Sequence, residues 1–408
     1  MTISDRFRNI YDVGDGRRRL LSMEGMRGFA VLLVFFVHYD ALYGVYLRVG
    51  SPLYEMSRFL GDIGNTGVDL FFVLSGYLIY GVVLRKKTPY GKFMRRRFER
   101  IYPTFLAVLL VYLLLCAVIP SENKIHGSFI SAAAYLAANI LLLPGIFHIT
   151  PIVTVAWSLS YEFFFYFSIP LVVWVTRMGT WPRWSRVIFF ATLWAAYLLY
   201  AFSAHHSEVR LLMFVAGILL YEAMDSNWTK AKLSRKGELL AITAFLAGLV
   251  FIFLYDAKTD WLSFLPGAHA GRTILPGVSG FQGPYKVVVL SITCLFLALY
   301  SFQFDGVLKA VFSWKPLRYL GNMSYSYYLI HGLALHAVAV VVARLTFSAK
   351  EGAIAYLIFL PIGFAFTWVV STGLFLLIEK PISLKPRPAP KAPVSAPTTL
   401  PPAVVASE

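Results

Sequence analysis

The chain has 408 residues, of which 58% are hydrophobic and 14% are charged, and its mean hydropathy is +0.66. Because soluble domains carry about 25% charged residues, this composition excludes a soluble globular protein. The net charge of +16 comes from Lys and Arg residues concentrated beside apolar segments, so we expect contacts with membrane lipids and no nucleic-acid partner. Cys116 and Cys294 lie inside apolar segments and predict neither a disulfide nor a metal site.

Eleven apolar segments recur along the chain, many of them near the length of about 20 residues that crosses a bilayer core. They begin near residues 25, 63, 101, 129, 152, 185, 208, 237, 284, 319 and 353. If the segment at 129–143 does not cross, 28 of the 37 Lys and Arg residues lie on the N-terminal side of the membrane and 9 on the other side. If it crosses, the distribution is 20 against 17, so the positive-inside rule favours the first arrangement.

We therefore predict an all-α, polytopic membrane helical bundle with about ten transmembrane helices, one re-entrant or interfacial helix, and cytoplasmic N- and C-termini. The basic N-terminus resembles that of a signal peptide, but no small-residue cleavage site follows it, so the first apolar segment is interpreted as a retained helix. The predicted parts are a cytoplasmic N-terminal segment at residues 1–22, a membrane domain at 23–380 and a disordered, Pro-rich cytoplasmic tail at 381–408.

Two ionisable residues, Arg27 and His38, lie in the first apolar segment. Charged groups within a membrane are costly, so they indicate function. A spacing of eleven residues leaves the two side chains about 20° apart around a helix and about 16 Å apart along it. They are expected on one face, with Arg27 near the cytoplasmic end and His38 beyond the midplane. The alternatives are an orienting anchor for Arg27 and a hydrogen-bonded core residue for His38.

The second apolar segment contains Asp69, about 10 Å below its outer end, and therefore at the depth of His38. A carboxylate that accepts from one imidazole nitrogen makes the other nitrogen a better general base for a hydroxyl. We expect Asp69 to orient His38 in this way. The alternative is that Asp69 pairs structurally with another group.

The loop between the second and third segments has eight Lys and Arg residues within 16 positions. Guanidinium groups bind phosphate oxygens in a bidentate manner, so Arg96, Arg97 and Arg100 are candidates for holding the phosphates of a nucleotide-like carrier. Binding of lipid headgroups and orientation of the chain are the competing interpretation.

Later segments add further candidates. Glu162 follows Ser158 by one helical turn and lies well inside an apolar layer, where an acid needs a partner. His331 lies near the middle of the tenth segment on a polar stripe, which equally fits a packing seam between helices. Glu379, at the inner end of the last segment, is expected to be a solvated terminus.

Five motifs in order resemble the membrane-bound acyltransferase family 3, which includes bacterial O-antigen and exopolysaccharide O-acetyltransferases. They are RGFA at 27–30 followed by His38, GVDLFFVLSGYLI at 67–79, RRFERIYP at 96–103, WSLSYEF at 157–163 and LGNMSYSYYLIH at 320–331. Phe105 departs from the pattern, because a tyrosine is expected there.

The resemblance implies a ten-helix acyltransferase domain, with acyl-CoA (acetyl-CoA foremost) as the donor substrate, no metal, His38 as the base and the arginines as ligands of the CoA phosphates. It also implies a periplasmic or lipid-linked glycan as acceptor and a multi-pass position in the bacterial inner membrane. The predicted site thus has His38, Asp69, Glu162 and His331 as catalytic residues, and Arg27, Arg96, Arg97 and Arg100 as donor-binding residues. A proton-coupled transporter or flippase, and an acyltransferase of small molecules or lipid headgroups, are the alternatives.

Overall fold

A computed structural model of the chain describes residues 3–13, 20–85, 88–119, 123–147, 149–204, 209–226, 232–256, 283–342 and 349–384. All regular elements in these ranges are helical, which confirms the predicted all-α class. The helices are α1 Ile3–Tyr11, α2 Leu21–Tyr43, α3 Pro52–Gly64, α4 Thr66–Arg85, α5 Tyr90–Val118, α6 Phe129–Ile140, α7 Trp157–Val175, α8 Arg183–Ala204, α9 Leu211–Met224, α10 Arg235–Asp256, α11 Pro284–Gln303, α12 Val307–Phe312, α13 Lys315–Asn322, α14 Ser324–Val342 and α15 Ala349–Leu374. A π-helical stretch, Phe375–Ser383, continues α15.

Within the described ranges, nine helical stretches are long and apolar enough to cross a membrane. This number agrees with the prediction of a polytopic bundle of about ten helices. The remaining predicted span corresponds to α9, whose 14 residues are short for a crossing. A Cβ atom added at Gly217 of α9 would lie 2.1 Å from the carbonyl oxygen of Val73, so α9 packs directly against the backbone of α4.

Helix α6 falls within the segment predicted as re-entrant or interfacial. Its 12 residues extend about 18 Å, which is shorter than a bilayer core. The chain then turns at Leu142 and Gly145, both of which have positive φ. The side-chain oxygen of Asn139 accepts a hydrogen bond from the backbone N–H of Ile152 at 2.8 Å and so ties the following loop to α6. Helix α6 is therefore too short to cross the bilayer core by itself.

The N-terminal half of α2 packs against α13 through two glycines. A Cβ atom at Gly28 would lie 1.9 Å from the carbonyl oxygen of Leu317, and one at Gly321 would lie 1.7 Å from the carbonyl oxygen of Glu24. Only glycine permits backbones to approach so closely. This contact fixes the height and rotation of the turn of α2 that carries Arg27.

The predicted N-terminal segment contains the helix α1, which packs on the last span. Tyr11 is 4% exposed and stacks on Tyr319 and Phe375 with ring centroids 5.5 and 6.4 Å away. Residues 14–19 and all but the first four residues of the predicted tail lie outside the described ranges.

Candidate functional site

A cavity of about 300 Å³ lies among α2, α4, α5, α7 and α14. We call it the inner cavity. Apolar side chains of α4 form much of its wall, as is usual for small-molecule sites. Its polar lining residues are Arg27, Ser75, Arg97, Arg100, Ser158, Glu162, Tyr166, Ser324, Tyr325 and Tyr328.

A second cavity of about 380 Å³, which we call the vestibule, adjoins it on the side of the bundle where α2 begins. Its lining residues are Val13, Leu20, Met23, Glu24, Arg27, Tyr77, Leu78, Arg100, Asn322 and Leu384. Arg27, Leu78 and Arg100 line both cavities, so the two arginines lie where the vestibule meets the inner cavity. An anion that entered by the vestibule would reach both guanidinium groups.

The arginines of α5 differ in their surroundings. Arg97 lines the inner cavity, with its guanidinium carbon 5.2 Å from the ring centroid of Phe93 and 5.4 Å from that of Tyr166. Nε of Arg97, like Nε of Arg96, has no hydrogen-bond partner among the described residues. Arg96 is not among the residues that line either cavity. Of the three predicted phosphate ligands on α5, Arg97 and Arg100 therefore line these two cavities, and Arg96 lines neither.

Arg100 is fixed by a carboxylate from the other end of the chain. Its Nη1 lies 3.0 Å from Oε1 of Glu379, whose side chain is 0% exposed. The other carboxylate oxygen of Glu379 accepts from the backbone N–H of Ser326 at 3.0 Å and from its hydroxyl at 2.5 Å. The expectation of a solvated terminus at Glu379 was wrong: its side chain, on the π-helical stretch, is buried in the bundle, where an arginine and two donors stabilise its charge.

Glu162, on α7, also lines the inner cavity. Ser75 donates to its Oε1 at 2.7 Å, and the hydroxyl of Tyr166, one turn along α7, donates to the same oxygen. Because Arg97 packs over the ring of Tyr166, Glu162 also positions the aromatic face that supports this guanidinium. Glu162 thus has the partners that its position in an apolar layer was expected to require. They are the hydroxyl groups of Ser75 and of Tyr166, which follows Glu162 by four residues.

His38 and His331 meet side by side. Nε2 of His331 lies 3.2 Å from Nδ1 of His38, and the two rings are nearly perpendicular, with centroids 4.5 Å apart. Nδ1 of His331 lies 2.7 Å from the carbonyl oxygen of Tyr328, and Nδ1 of His38 lies 3.1 Å from that of Val34. His331 is fully buried and His38 is half-buried.

These contacts determine the tautomers. A carbonyl oxygen only accepts, so Nδ1 of His331 carries a hydrogen that it donates to Tyr328, and its Nε2 accepts. Nδ1 of His38 then carries the hydrogen shared between His331 and the carbonyl of Val34. Nε2 of His38 is left with its lone pair, which is the state that a general base requires.

Asp69 does not orient His38. Its carboxylate is 0% exposed and lies 3.7 Å from Nε of Arg210, whose guanidinium packs over the ring of Trp157 at 4.9 Å. Neither contact of Nδ1 of His38 involves this carboxylate. The expected pairing of Asp69 with His38 was therefore wrong, and Asp69 pairs with Arg210. A guanidinium carries a full positive charge, so it stabilises a buried carboxylate more than a neutral imidazole does.

Tyr328 connects the inner cavity to the histidine pair. Its hydroxyl lies 2.7 Å from Oγ of Ser158 at the cavity wall, and its carbonyl oxygen holds His331 one turn along α14. His38 is about 16 Å beyond Arg27 along α2 and about 8 Å before the end of that helix. The arginines and the histidines thus lie at different depths, and Tyr328 links the wall of the inner cavity to the histidine pair, which lines neither cavity.

Sequence reasoning missed Ser75, Tyr166, Arg210 and the buried role of Glu379. The i, i+4 spacing of Glu162 and Tyr166 was an available signal, whereas the other partners come from distant helices. No group of three or more His, Cys, Asp or Glu side chains that could hold a metal ion occurs in the part of the chain that the structure describes.

Comparison with known proteins gives a consistent result. A family model described as "Acyltransferase domain" matches residues 20–375. The O-acetyltransferase OatA of Staphylococcus aureus strain NCTC 8325 is 24% identical over 341 residues, which cover 77% of this chain and 50% of that protein. The acyltransferase MdmB of Streptomyces mycarofaciens is 32% identical over 181 residues, or 43% of this chain and 42% of that one. The chain spans about half the length of these relatives, and no solved structure matches it significantly.

Proposed function

The chain belongs to the acyltransferase 3 family, and from that premise we propose that it is an integral-membrane O-acyltransferase that uses cytoplasmic acyl-CoA as donor. The transferred group is acetyl, and the acceptor is a hydroxyl of a periplasmic or lipid-linked glycan. OatA is named an O-acetyltransferase, which supports the choice of acyl group. The proposed location is the bacterial inner membrane, with both termini in the cytoplasm, as the distribution of 28 against 9 basic residues favours.

The observation that supports this proposal is the arginine-lined pair of cavities, whose wall residue Tyr328 holds the histidine pair through its carbonyl oxygen. Arg27, Arg97 and Arg100 would bind the phosphates of the donor, because guanidinium groups bind phosphate oxygens strongly. The separation of about 16 Å between Arg27 and His38 along α2 is comparable to the reach of an extended phosphopantetheine arm. The thioester would then lie near His38 while the nucleotide stays on the cytoplasmic side.

His38 is the proposed catalytic base. Its Nε2 takes the proton of the acceptor hydroxyl as the oxygen attacks the thioester carbonyl carbon. The tetrahedral intermediate collapses with loss of the C–S bond, and the CoA thiolate takes the proton back from the imidazolium. The products are an O-acyl ester and CoA with a free thiol, so all atoms and charges balance. Direct transfer is the route proposed, and attack by His38 itself is the variant to exclude.

His331 acts here as a positioning residue, because it fixes the tautomer of His38 without reaching the substrate. Glu162 holds Tyr166 beneath Arg97 and offsets part of the positive charge of the cavity. Asp69, paired with Arg210, stabilises the packing of α4 against the segment that precedes α9.

The test combines donor binding with glycan analysis. Purified protein should bind radiolabelled acetyl-CoA, and the His38→Gln variant should retain that binding. Mass spectrometry of surface glycans from a deletion strain should show loss of an acetyl mass that the wild-type gene restores and His38→Gln does not. His336→Gln, an exposed histidine on α14, is the matched control and should restore it. Restoration by His38→Gln at wild-type protein level would refute the proposal, and proton-coupled solute uptake without CoA binding would favour the transporter.

A further inference from the structure

Residues near both ends of the described chain line the vestibule. Val13 follows α1 at the N-terminus, and Leu384 follows the π-helical turn at the C-terminus. Leu20, just before α2, completes this part of the wall. The N-terminal segment is therefore part of the route to the arginines and not only a leader to the first span.

A lysine from the last span holds the end of α1. Nζ of Lys380 donates to the carbonyl oxygens of Asn9 at 2.8 Å and Ile10 at 2.6 Å. These carbonyls belong to the last turn of α1, where they have no partner within the helix. A positive charge at this position also interacts favourably with the negative end of the helix.

Tyr11, the last residue of α1, is held by hydrogen bonds as well as by ring contacts. Its hydroxyl lies 2.8 Å from Oγ1 of Thr372 and accepts from Nε1 of Trp368 at 2.8 Å. A free helix of nine residues is unstable in water, so the fold of α1 depends on this docking. The position of Val13, two residues later, depends on it in turn.

The docking site of α1 is adjacent to the site of Arg100. Lys380, which holds α1, directly follows Glu379, which pairs with Arg100. Both residues belong to the same π-helical stretch. One short segment thus contacts both the proposed phosphate-binding arginine and the N-terminal helix.

We propose that α1, fixed by Tyr11 and Lys380, is a donor-site element that shapes the vestibule around the nucleotide portion of acyl-CoA and keeps the Glu379–Arg100 pair in place. This inference rests on the proposed function, since it assigns acyl-CoA to the vestibule. Lys380 and Tyr11 are positioning residues, because neither lines the vestibule itself. Their loss should weaken donor binding and leave the acyl-transfer step nearly unchanged.

The experiment measures the Kd of acetyl-CoA for full-length protein in lipid nanodiscs, together with KM and kcat for acyl transfer. Lys380→Met and Tyr11→Ala should each raise Kd and KM about tenfold, with kcat changed less than twofold, because each removes two hydrogen bonds that dock α1. Lys380→Arg should restore donor affinity, since a guanidinium also donates to carbonyl oxygens. Val369→Ala, a lipid-facing residue of the same span, should leave Kd unchanged.

A second readout follows α1 directly. Arg6 and Arg8 are exposed on α1, so trypsin cleavage there reports its undocking. Acetyl-CoA should slow this cleavage in the wild-type protein, and about tenfold more of it should be needed for the same protection in Lys380→Met. If the wild-type protein binds acetyl-CoA and both variants bind it equally well, the inference about α1 is wrong while the proposed function stands. If the wild-type protein binds no acetyl-CoA, the proposed function itself fails.

Discussion

Nε2 of His331 lies 3.2 Å from Nδ1 of His38, and the contact behind it, between Nδ1 of His331 and the carbonyl oxygen of Tyr328, determines which nitrogen of each ring carries a hydrogen. In the proposed mechanism, a neutral imidazole relay takes the place that a carboxylate occupies in many catalytic triads. Because the relay is anchored on a main-chain carbonyl, it does not depend on the side chain of Tyr328. Its effect on His38 can therefore be separated from packing at the cavity wall.

Replacement of His331 should lower the rate without weakening donor binding. His331→Leu removes the acceptor for His38 and should reduce kcat about 10- to 100-fold, as is typical for residues that orient a functional imidazole. His331→Gln retains an amide donor for Tyr328 and a carbonyl acceptor for His38, so it should retain more activity than His331→Leu. The measurement is kcat for acyl transfer and Kd for acetyl-CoA. Equal loss in both variants would contradict the relay.

Asp69→Asn should change stability more than acid–base chemistry. The carboxylate pairs with Arg210, and breaking a buried ion pair by removing one charge costs about 3–5 kcal/mol. Since Asp69 does not contact His38, the pH at which the rate falls on the acid side should be the same in the variant and the wild-type protein. Thermal unfolding and a pH–rate profile measure the two effects. If Asp69→Asn shifts the acid side of the pH–rate profile, Asp69 does act on His38, as the sequence had predicted.

The sequence was sufficient to predict the class of fold, and it supplied the residues of the candidate site. Apolar length and charge asymmetry depend on local composition, so they identified the spans, and the motifs identified His38, Glu162, His331 and the arginines. Which of these residues contact one another was harder to predict from the sequence. Counting residues along the helices placed Asp69 at the same depth as His38. The direction in which each side chain points, and the helix that it meets, depend on tertiary packing, which the sequence does not give.

Glu379 illustrates the same limit. A single residue at the end of an apolar segment has no pattern of its own, and a regular helix would be expected to leave it near water. Glu379 lies instead on a π-helical stretch, where the number of residues per turn differs from that of an α-helix, and its carboxylate pairs with Arg100. Irregular helical turns of this kind have no reliable sequence signal, so their consequences emerge only in the folded structure.

Arg97 and Arg96 provide a matched pair within α5. Arg97 faces the inner cavity and Arg96 lines neither cavity. Arg97→Ala should raise the Kd of acetyl-CoA at least tenfold, because one charge-assisted contact to phosphate contributes about 1.5–3 kcal/mol. Arg96→Ala should change it less than threefold and thereby serves as the control for loss of charge. If the two variants raise the Kd equally, long-range electrostatic attraction accounts for the effect of both arginines, and direct contact with phosphate does not. A higher salt concentration would then abolish the effect of both substitutions.

Glu379→Gln should weaken both folding and donor binding. The neutral amide leaves Arg100 without its counter-charge, and the expected cost in unfolding free energy is about 1–3 kcal/mol, below that of a fully enclosed pair because Arg100 is 22% exposed to the cavity. Arg100→Met combined with Glu379→Gln should recover part of the stability but none of the donor affinity. Thermal unfolding and acetyl-CoA binding separate these outcomes. Recovery of donor affinity in the double variant would show that Arg100 is structural and not a donor ligand.

Thiol labelling can test the orientation of the bundle. Both native cysteines, Cys116 and Cys294, are buried, so a single introduced cysteine gives a clean signal. Val49 is 76% exposed in the turn after α2, and Tyr90 is 38% exposed at the start of α5, on the side of the basic loop. If the N-terminus is cytoplasmic, a membrane-impermeant maleimide should label Val49→Cys in spheroplasts and label Tyr90→Cys only after permeabilisation. The reverse pattern would place the arginines on the outer side, where no acyl-CoA is available, and would therefore overturn the proposed direction of transfer together with the topology.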